Sequence, residues 1–169
     1  CRSILFAGLN TFIPLYWIHV LLQRHTAGSS ALTLLFSIGV IGTFFGGRWA
    51  DRYGYLRVIR TGYLLLFPFL LLFVFTSEPT LAMALLIPIG MGLFAPYSPT
   101  VVLGQKYLPQ RMGFAYGITL GLTVSVGGIA APGLGWLADQ YGLEFSFSIL
   151  AALPVIATMA AFSLPKPRD

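Results

Sequence analysis

The chain is a succession of long apolar runs separated by short polar breaks. Runs at 4–22, 31–50, 58–76, 81–103, 113–138 and 145–164 are each at least 19 residues long. A hydrocarbon core about 30 Å thick is crossed by roughly 20 residues at about 1.5 Å rise each. The pattern therefore predicts six membrane-spanning helices. No connection between runs exceeds 9 residues, so no soluble domain is inserted between spans. Only Arg48 and Arg60 fall inside the runs. Both lie within a turn of an end, where a long side chain reaches the headgroups.

Composition narrows the class further. Charged residues make up 9% of the 169 residues and hydrophobic ones 57%, with a mean hydropathy of +0.83. Soluble domains are about one quarter charged, so a soluble enzyme is excluded. An aromatic content of 15% excludes disorder. The net charge of +5 does not point to nucleic acid, because the basic residues are confined to a few loops.

Charge also sets the sides. With six spans both ends share one face, and that face carries Arg2, Arg48, Arg52, Arg57, Arg60, Lys106, Arg111, Lys166 and Arg168. The other face carries Arg24 alone. The positive-inside rule places both ends in the cytoplasm and the protein in the cell (inner or plasma) membrane as a multi-pass chain. The sequence starts at Cys1 rather than Met, which is expected of a fragment of a longer chain, and one cysteine permits no intrachain disulfide.

Two stretches echo each other. Gly47-Arg48-Trp49-Ala50-Asp51-Arg52-Tyr53-Gly54 and Gly135-Trp136-Leu137-Ala138-Asp139-Gln140-Tyr141-Gly142 share Gly, three residues, Asp, one residue, Tyr-Gly, at an offset of 88. Each closes the second span of a three-span group, so the copies fall on opposite faces of the membrane. An inverted three-plus-three repeat leaves this trace. The alternative is chance, since Asp-x-Tyr-Gly is also a polar turn with Gly as a helix stop.

Close helix approach in a membrane comes from small residues. Gly42 and Gly46 form a G-x-x-x-G, while Gly113, Gly117 and Gly121 recur every fourth residue. Pro14, Pro68, Pro88, Pro96, Pro99, Pro132 and Pro154 lie inside spans, and each removes a backbone hydrogen bond and favours a kink. Static packing accounts for such residues as well as moving helices do. Polar and aromatic side chains within spans are the candidates for a cavity lining: Asn10, Tyr16, Tyr97, Ser98, Thr100, Tyr116, Thr119, Thr123 and Ser125. His19, near an outer end, and Tyr16 with Trp17 also suit the headgroup level. Asp51 sits at a helix C-terminus, where the dipole disfavours an anion, and Arg52 and Arg57 are close enough in sequence to neutralise it. No Asp or Glu lies inside a span, and no metal cluster, nucleophile–base set or phosphate-cradling loop is present. No cofactor and no enzymatic activity are expected.

The stretch Gly47-x-x-Ala50-Asp51-Arg52-x-Gly54-x-x-Arg57 resembles the loop signature of the major facilitator superfamily, found between the second and third helices of each six-helix half. The family's basic residues directly after the second Gly are replaced by Tyr55 and Leu56. Gly127-Gly128-Ile129-Ala130-Ala131-Pro132-Gly133-Leu134-Gly135 resembles the Gly-Pro-rich helix of its antiporters, with Ala131-Pro132 where Gly-Pro is usual. Asn10-Thr11-Phe12-Ile13-Pro14-Leu15-Tyr16 is similar to the C-terminal half of fosmidomycin-resistance-type efflux proteins.

The resemblance implies an all-α membrane fold, helices seven to twelve of a twelve-helix carrier, partnered by an N-terminal six-helix half, the lipid bilayer and a small-molecule substrate. It implies that helices one, two, four and five of the half face the cavity while three and six lie outside. It also implies that Asp51 meets a helix N-terminus of the other half, so that Gly47, Asp51, Arg52, Gly54 and Arg57 form a cytoplasmic gating loop. Gly42, Gly46, Gly117, Gly121, Pro132 and Gly133 would supply packing and kinks. The expected activity is proton-coupled efflux of a small molecule or drug by alternating access. Alternatives are uptake of a sugar or metabolite on the same fold, or a non-transporting membrane subunit.

Overall fold

The computed structural model describes residues 2–22, 25–107, 113–114 and 117–163. Among them the regular elements are all helical: α1 (Arg2–His19), α2 (His25–Tyr53), α3 (Tyr55–Val74), α4 (Pro79–Phe94), α5 (Tyr97–Tyr107), a π-helical stretch (Gly117–Leu122), α6 (Thr123–Tyr141) and α7 (Leu143–Ser163). Helices α4 and α5 follow one another as a single bent rod. The π-helical stretch leads directly into α6. Among the described residues the result is a bundle of six rods.

Five rods are long and apolar enough to cross a membrane: Thr26–Tyr53, Tyr55–Val74, Pro79–Tyr107, Gly117–Tyr141 and Phe145–Ser163. The sixth, α1, is not among them. Its 18 residues include Arg2, Asn10 and His19, which dilute its apolar content. It packs against α2, α4, α6 and α7. Leu5, Leu9, Phe12, Ile13, Tyr16 and Trp17 are all buried on it, spaced by three or four residues so that they form one stripe.

The opposite faces are apolar too. Leu64, Leu65 and Leu72 of α3 and Ile156 and Met159 of α7 all point outward, with Leu64 59% exposed. A water-soluble bundle does not leave such a continuous apolar surface, whereas lipid accepts it.

The bend between α4 and α5 has a local cause. Pro96 lacks an N–H and its ring crowds the preceding turn, so the helix stops at Phe94 and restarts at Tyr97. Two glycines from neighbouring helices make room for it. A Cβ on Gly46 of α2 would collide with the Ala95 carbonyl oxygen, and one on Gly62 of α3 would collide with the Pro96 ring. Gly42 lies one turn from Gly46, and a Cβ there would sit 3.4 Å from the Met91 sulfur. The G-x-x-x-G of α2 is therefore a seat for the bent rod.

The other glycines expected to pack differ from these. Among the described residues, nothing lies within 4 Å of where a Cβ would stand on Gly117, Gly121 or Gly133. Pro132 lies inside α6, and the helix continues through it.

Packing follows an internal two-fold. Exchanging α1 with the α4–α5 rod, α2 with α6, and α3 with α7 maps α2–α4 onto α6–α1, α3–α4 onto α7–α1 and α2–α3 onto α6–α7. It leaves α3–α7 unchanged. The α1–α2 contact is matched only by the contact of α5 with the π-helical stretch. Gly39 and Gly127, also 88 residues apart, sit at corresponding crossings. A Cβ on Gly39 would lie 2.9 Å from the Phe94 ring, and one on Gly127 would lie 2.9 Å from the Ser3 carbonyl oxygen. This arrangement is an inverted three-plus-three repeat.

At one end of the bundle, Tyr16 and Trp17 of α1 meet Phe73 of α3 and Phe147 of α7. Ring centroids lie 5.1 Å apart for Tyr16–Phe73 and for Tyr16–Phe147, and 5.9 Å for Trp17–Phe73. This aromatic knot ties α1 to the two helices on the outer side of the bundle.

Candidate functional site

A groove of about 930 Å³ runs along the face made by α1, α2, the α4–α5 rod and α6. Pockets for drug-sized ligands fall at about 300–1,000 Å³. Its walls follow from helical periodicity. Ser3, Phe6, Ala7 and Asn10 line it from α1; Phe36, Gly39, Val40 and Thr43 from α2; Val124, Gly127 and Gly128 from α6; and Phe94 and Tyr97 flank the bend in the fourth rod. Helices α3 and α7 contribute none of its lining, because they pack behind it.

The groove has an aromatic floor. Phe6 lies edge-on to both Phe36 and Phe94, with centroids 6.1 and 5.9 Å apart, and Phe36–Phe94 closes the triangle at 6.5 Å. Polar groups are few: Arg2, Ser3, Asn10, Thr11, Thr43 and Tyr97. The Thr43 hydroxyl donates to the Gly39 carbonyl of its own helix at 2.8 Å. Arg2 is the charged member, and its guanidinium carbon sits 4.3 Å from the centre of the Tyr97 ring. An apolar pocket with a few placed polar groups can hold an amphiphilic molecule and orient it.

The sequence-based candidates divide. Asn10 and Tyr97 line the groove. Tyr16 does not: it is 1% exposed, and its hydroxyl lies 3.0 Å from the Thr76 carbonyl oxygen and 3.3 Å from that of Val74. It serves the C-terminal end of α3, whose last carbonyls have no helical partner. Trp17 is equally buried and is no headgroup anchor. Ser98 sits beside Gly47 at the contact of α5 with α2, and Thr119 sits beside Gly104 of α5. Tyr116 lies outside the described residues, as does the side chain of Thr123.

Arg2, Phe6, Phe36, Thr43 and Phe94 were not among those candidates. The missing signal was positional: residues three and four away from Asn10 on α1 share its face.

The loop between α2 and α3 forms a second concavity of about 720 Å³, lined by Asp51, Gly54, Tyr55, Arg57, Arg60 and Lys106 among others. The local neutralisation expected of Arg52 and Arg57 is absent among the described residues. The Tyr55 hydroxyl instead donates to Asp51 Oδ1 at 3.3 Å. Arg52 lies over the Tyr53 ring, centroid 5.6 Å away, and Lys106 over the Tyr55 ring at 4.8 Å. The reason is geometric. Asp51 and Tyr55 are four residues apart across the Gly54 joint, which aims the phenol at the carboxylate, while Arg52 turns to the ring beside it. Gly47 is held against Ser98 of α5.

Comparison with known proteins places these features. Residues 1–169 match the profile of the Major Facilitator Superfamily. The chain is 37% identical over 155 residues to an uncharacterised MFS-type transporter, YfnC, of Bacillus subtilis (strain 168), covering 92% of this chain and 37% of that protein. It is 30% identical over 161 residues to a fosmidomycin resistance protein of Escherichia coli (strain K12), covering 92% of this chain and 39% of that protein. The chain thus spans under two fifths of the length of the curated relatives that it matches.

Proposed function

The chain belongs to the Major Facilitator Superfamily, and from that premise we propose that it forms one six-helix half of a proton-coupled carrier exporting a small molecule by alternating access. The family is one of multi-pass membrane transporters and not of enzymes. The observation that carries the reading is the groove. It lies on the face shared by α1, α2, the α4–α5 rod and α6, with an aromatic floor and a sparse polar rim. In the complete carrier a second six-helix half covers this face, and rocking of the two halves exposes the groove to each side in turn.

Export rather than uptake is supported by the similarity to a protein named for fosmidomycin resistance. The coupling acid belongs to the other half, because the spans here contain no internal Asp or Glu and proton coupling needs a carboxylate that changes state within the membrane. Both ends of this chain lie in the cytoplasm, following its arginine-rich loops. The α2–α3 joint, with Asp51 in the last turn of α2, docks against the other half and holds the cytoplasmic gate in one of the two states.

The test uses the complete carrier in proteoliposomes with an imposed pH gradient. Fosmidomycin is the first probe, followed by a panel of small drugs. The expected result is probe-dependent proton movement out of phase with the probe, together with raised resistance in cells expressing the carrier. Co-movement of probe and proton would indicate uptake, and no probe-dependent proton flux with any compound would overturn the carrier reading.

A further inference from the structure

The one charged side chain in the described lining of the groove is an arginine. Arg2 lines it near the start of α1 with its guanidinium carbon over the Tyr97 ring, 4.3 Å from the ring centre. Its electrostatic neighbours are Tyr97 and Tyr63, both phenols. Among the described residues no carboxylate joins them: Asp51 and Asp139 lie in the last turns of α2 and α6, and Glu78 precedes α4. A cation in an apolar, partly desolvated setting without a counter-ion is costly. A guanidinium carries its N–H donors in a planar fork, and that fork matches the paired oxygens of an oxyanion.

The rest of the groove fits the other end of such a molecule. Phe6, Phe36 and Phe94 form a floor of edge-on rings one helical turn along α1 from Arg2, and Asn10 stands a turn beyond Phe6. A ligand lying along α1 would therefore meet a cation first, an aromatic bed next and an amide last.

We propose that this groove selects amphiphilic organic anions, an oxyanion head on Arg2 and an apolar body on the phenylalanine floor. This rests on the carrier reading above and names the substrate class of the same site. The contact with the Tyr97 ring holds the guanidinium, so that less side-chain freedom is lost when the head docks. A cationic analogue is disfavoured by the same charge.

Three probes with one aromatic body separate the effects: phenylacetate, 2-phenylethanol and 2-phenylethylammonium. Binding to the purified complete carrier is measured by calorimetry, and proton-linked flux is measured separately in proteoliposomes. Phenylacetate should bind at least about tenfold more tightly than the other two, a difference of about 1.4 kcal/mol. Arg2→Gln should remove that preference while 2-phenylethanol still binds, and Arg2→Lys should keep most of it. The neutral probe guards against a variant that has merely misfolded. Equal binding of all three, preference for the ammonium, absent phenylacetate binding, or an Arg2→Gln carrier with its preference intact would overturn the proposal. Proton-linked flux without head-group preference defeats this proposal alone. Selective phenylacetate binding with no flux of any compound defeats the carrier reading alone.

Discussion

Gly54 and Gly142 form the same joint at two places 88 residues apart. Each has a left-handed backbone, with φ of 94° and 88°. Each N–H donates to the carbonyl four residues back, Gly54 to Ala50 and Gly142 to Ala138, both at 2.9 Å. Each carbonyl accepts from the amide four residues on, at 3.3 Å in both cases. One joint ends α2 and the other ends α6, which the internal two-fold exchanges. A shared sequence motif alone leaves chance open; a shared motif with shared geometry at symmetry-related positions is what an inverted repeat predicts.

Because an L side chain is strained at positive φ, Gly54→Ala and Gly142→Ala should each lower stability by about 1 kcal/mol. Asn, which tolerates this region better, should cost less at both. Melting midpoints of the detergent-purified carrier check this. Unequal behaviour of the two sites would count against their equivalence.

Arg60 reaches from α3 to the end of α7. Its Nε donates to the Ala161 carbonyl at 3.0 Å and its Nη2 to that of Phe162 at 3.3 Å, while the guanidinium lies over the Phe162 ring, centroid 4.7 Å away. A cation at a helix C-terminus satisfies carbonyls that have no helical partner. Arg60→Ala should cost about 1–2 kcal/mol, and Arg60→Lys should recover only part of it, since an ammonium has no planar fork. The same melting assay reads both variants.

Tyr16→Phe separates a core role from a groove role. Loss of the hydroxyl leaves the carbonyls at the end of α3 with one donor fewer, at a cost of about 1 kcal/mol. Probe binding should not change. Weakened binding at undiminished stability would put the phenol on the substrate path after all.

Asp51→Asn tests the gate. The carboxylate is exposed and its described partner is the Tyr55 hydroxyl, so stability should move by less than about 0.5 kcal/mol. Transport should slow by roughly fivefold or more if the loop biases two states of the carrier. Unaltered flux, together with unaltered thiol accessibility of the cytoplasmic side of the groove, would remove the loop from the mechanism.

The class of fold was legible in the chain because lipid imposes a hard length rule, and runs of 19 or more apolar residues satisfy it. The repeat was legible through two short motifs. Side-chain roles were less so, since each depends on contacts remote in sequence. Tyr16 is a polar residue in a span, which suggests a cavity, yet its partners lie 57 to 60 residues away at the end of α3. Arg2 reads as one more cytoplasmic charge until Tyr97, from a different helix, is brought under it. Gly117 and Gly121 repeat with helical spacing, but spacing does not reveal that no described residue approaches them. Gly46 has a spacing that suits close approach, but the bend beside it comes from Pro96 in another helix, which no local pattern in α2 shows.

The most direct measurement concerns which face meets the substrate. In a complete carrier with its cysteines replaced, single cysteines at Asn10, Val40 and Thr43 sit in the groove, and single cysteines at Leu64 and Leu72 sit on the outward face of α3. A water-soluble thiol reagent should label the first three, more slowly when phenylacetate or fosmidomycin is present, and should spare the last two. Labelling of Leu64 and Leu72 with protection by substrate, and none at the groove positions, would contradict the account.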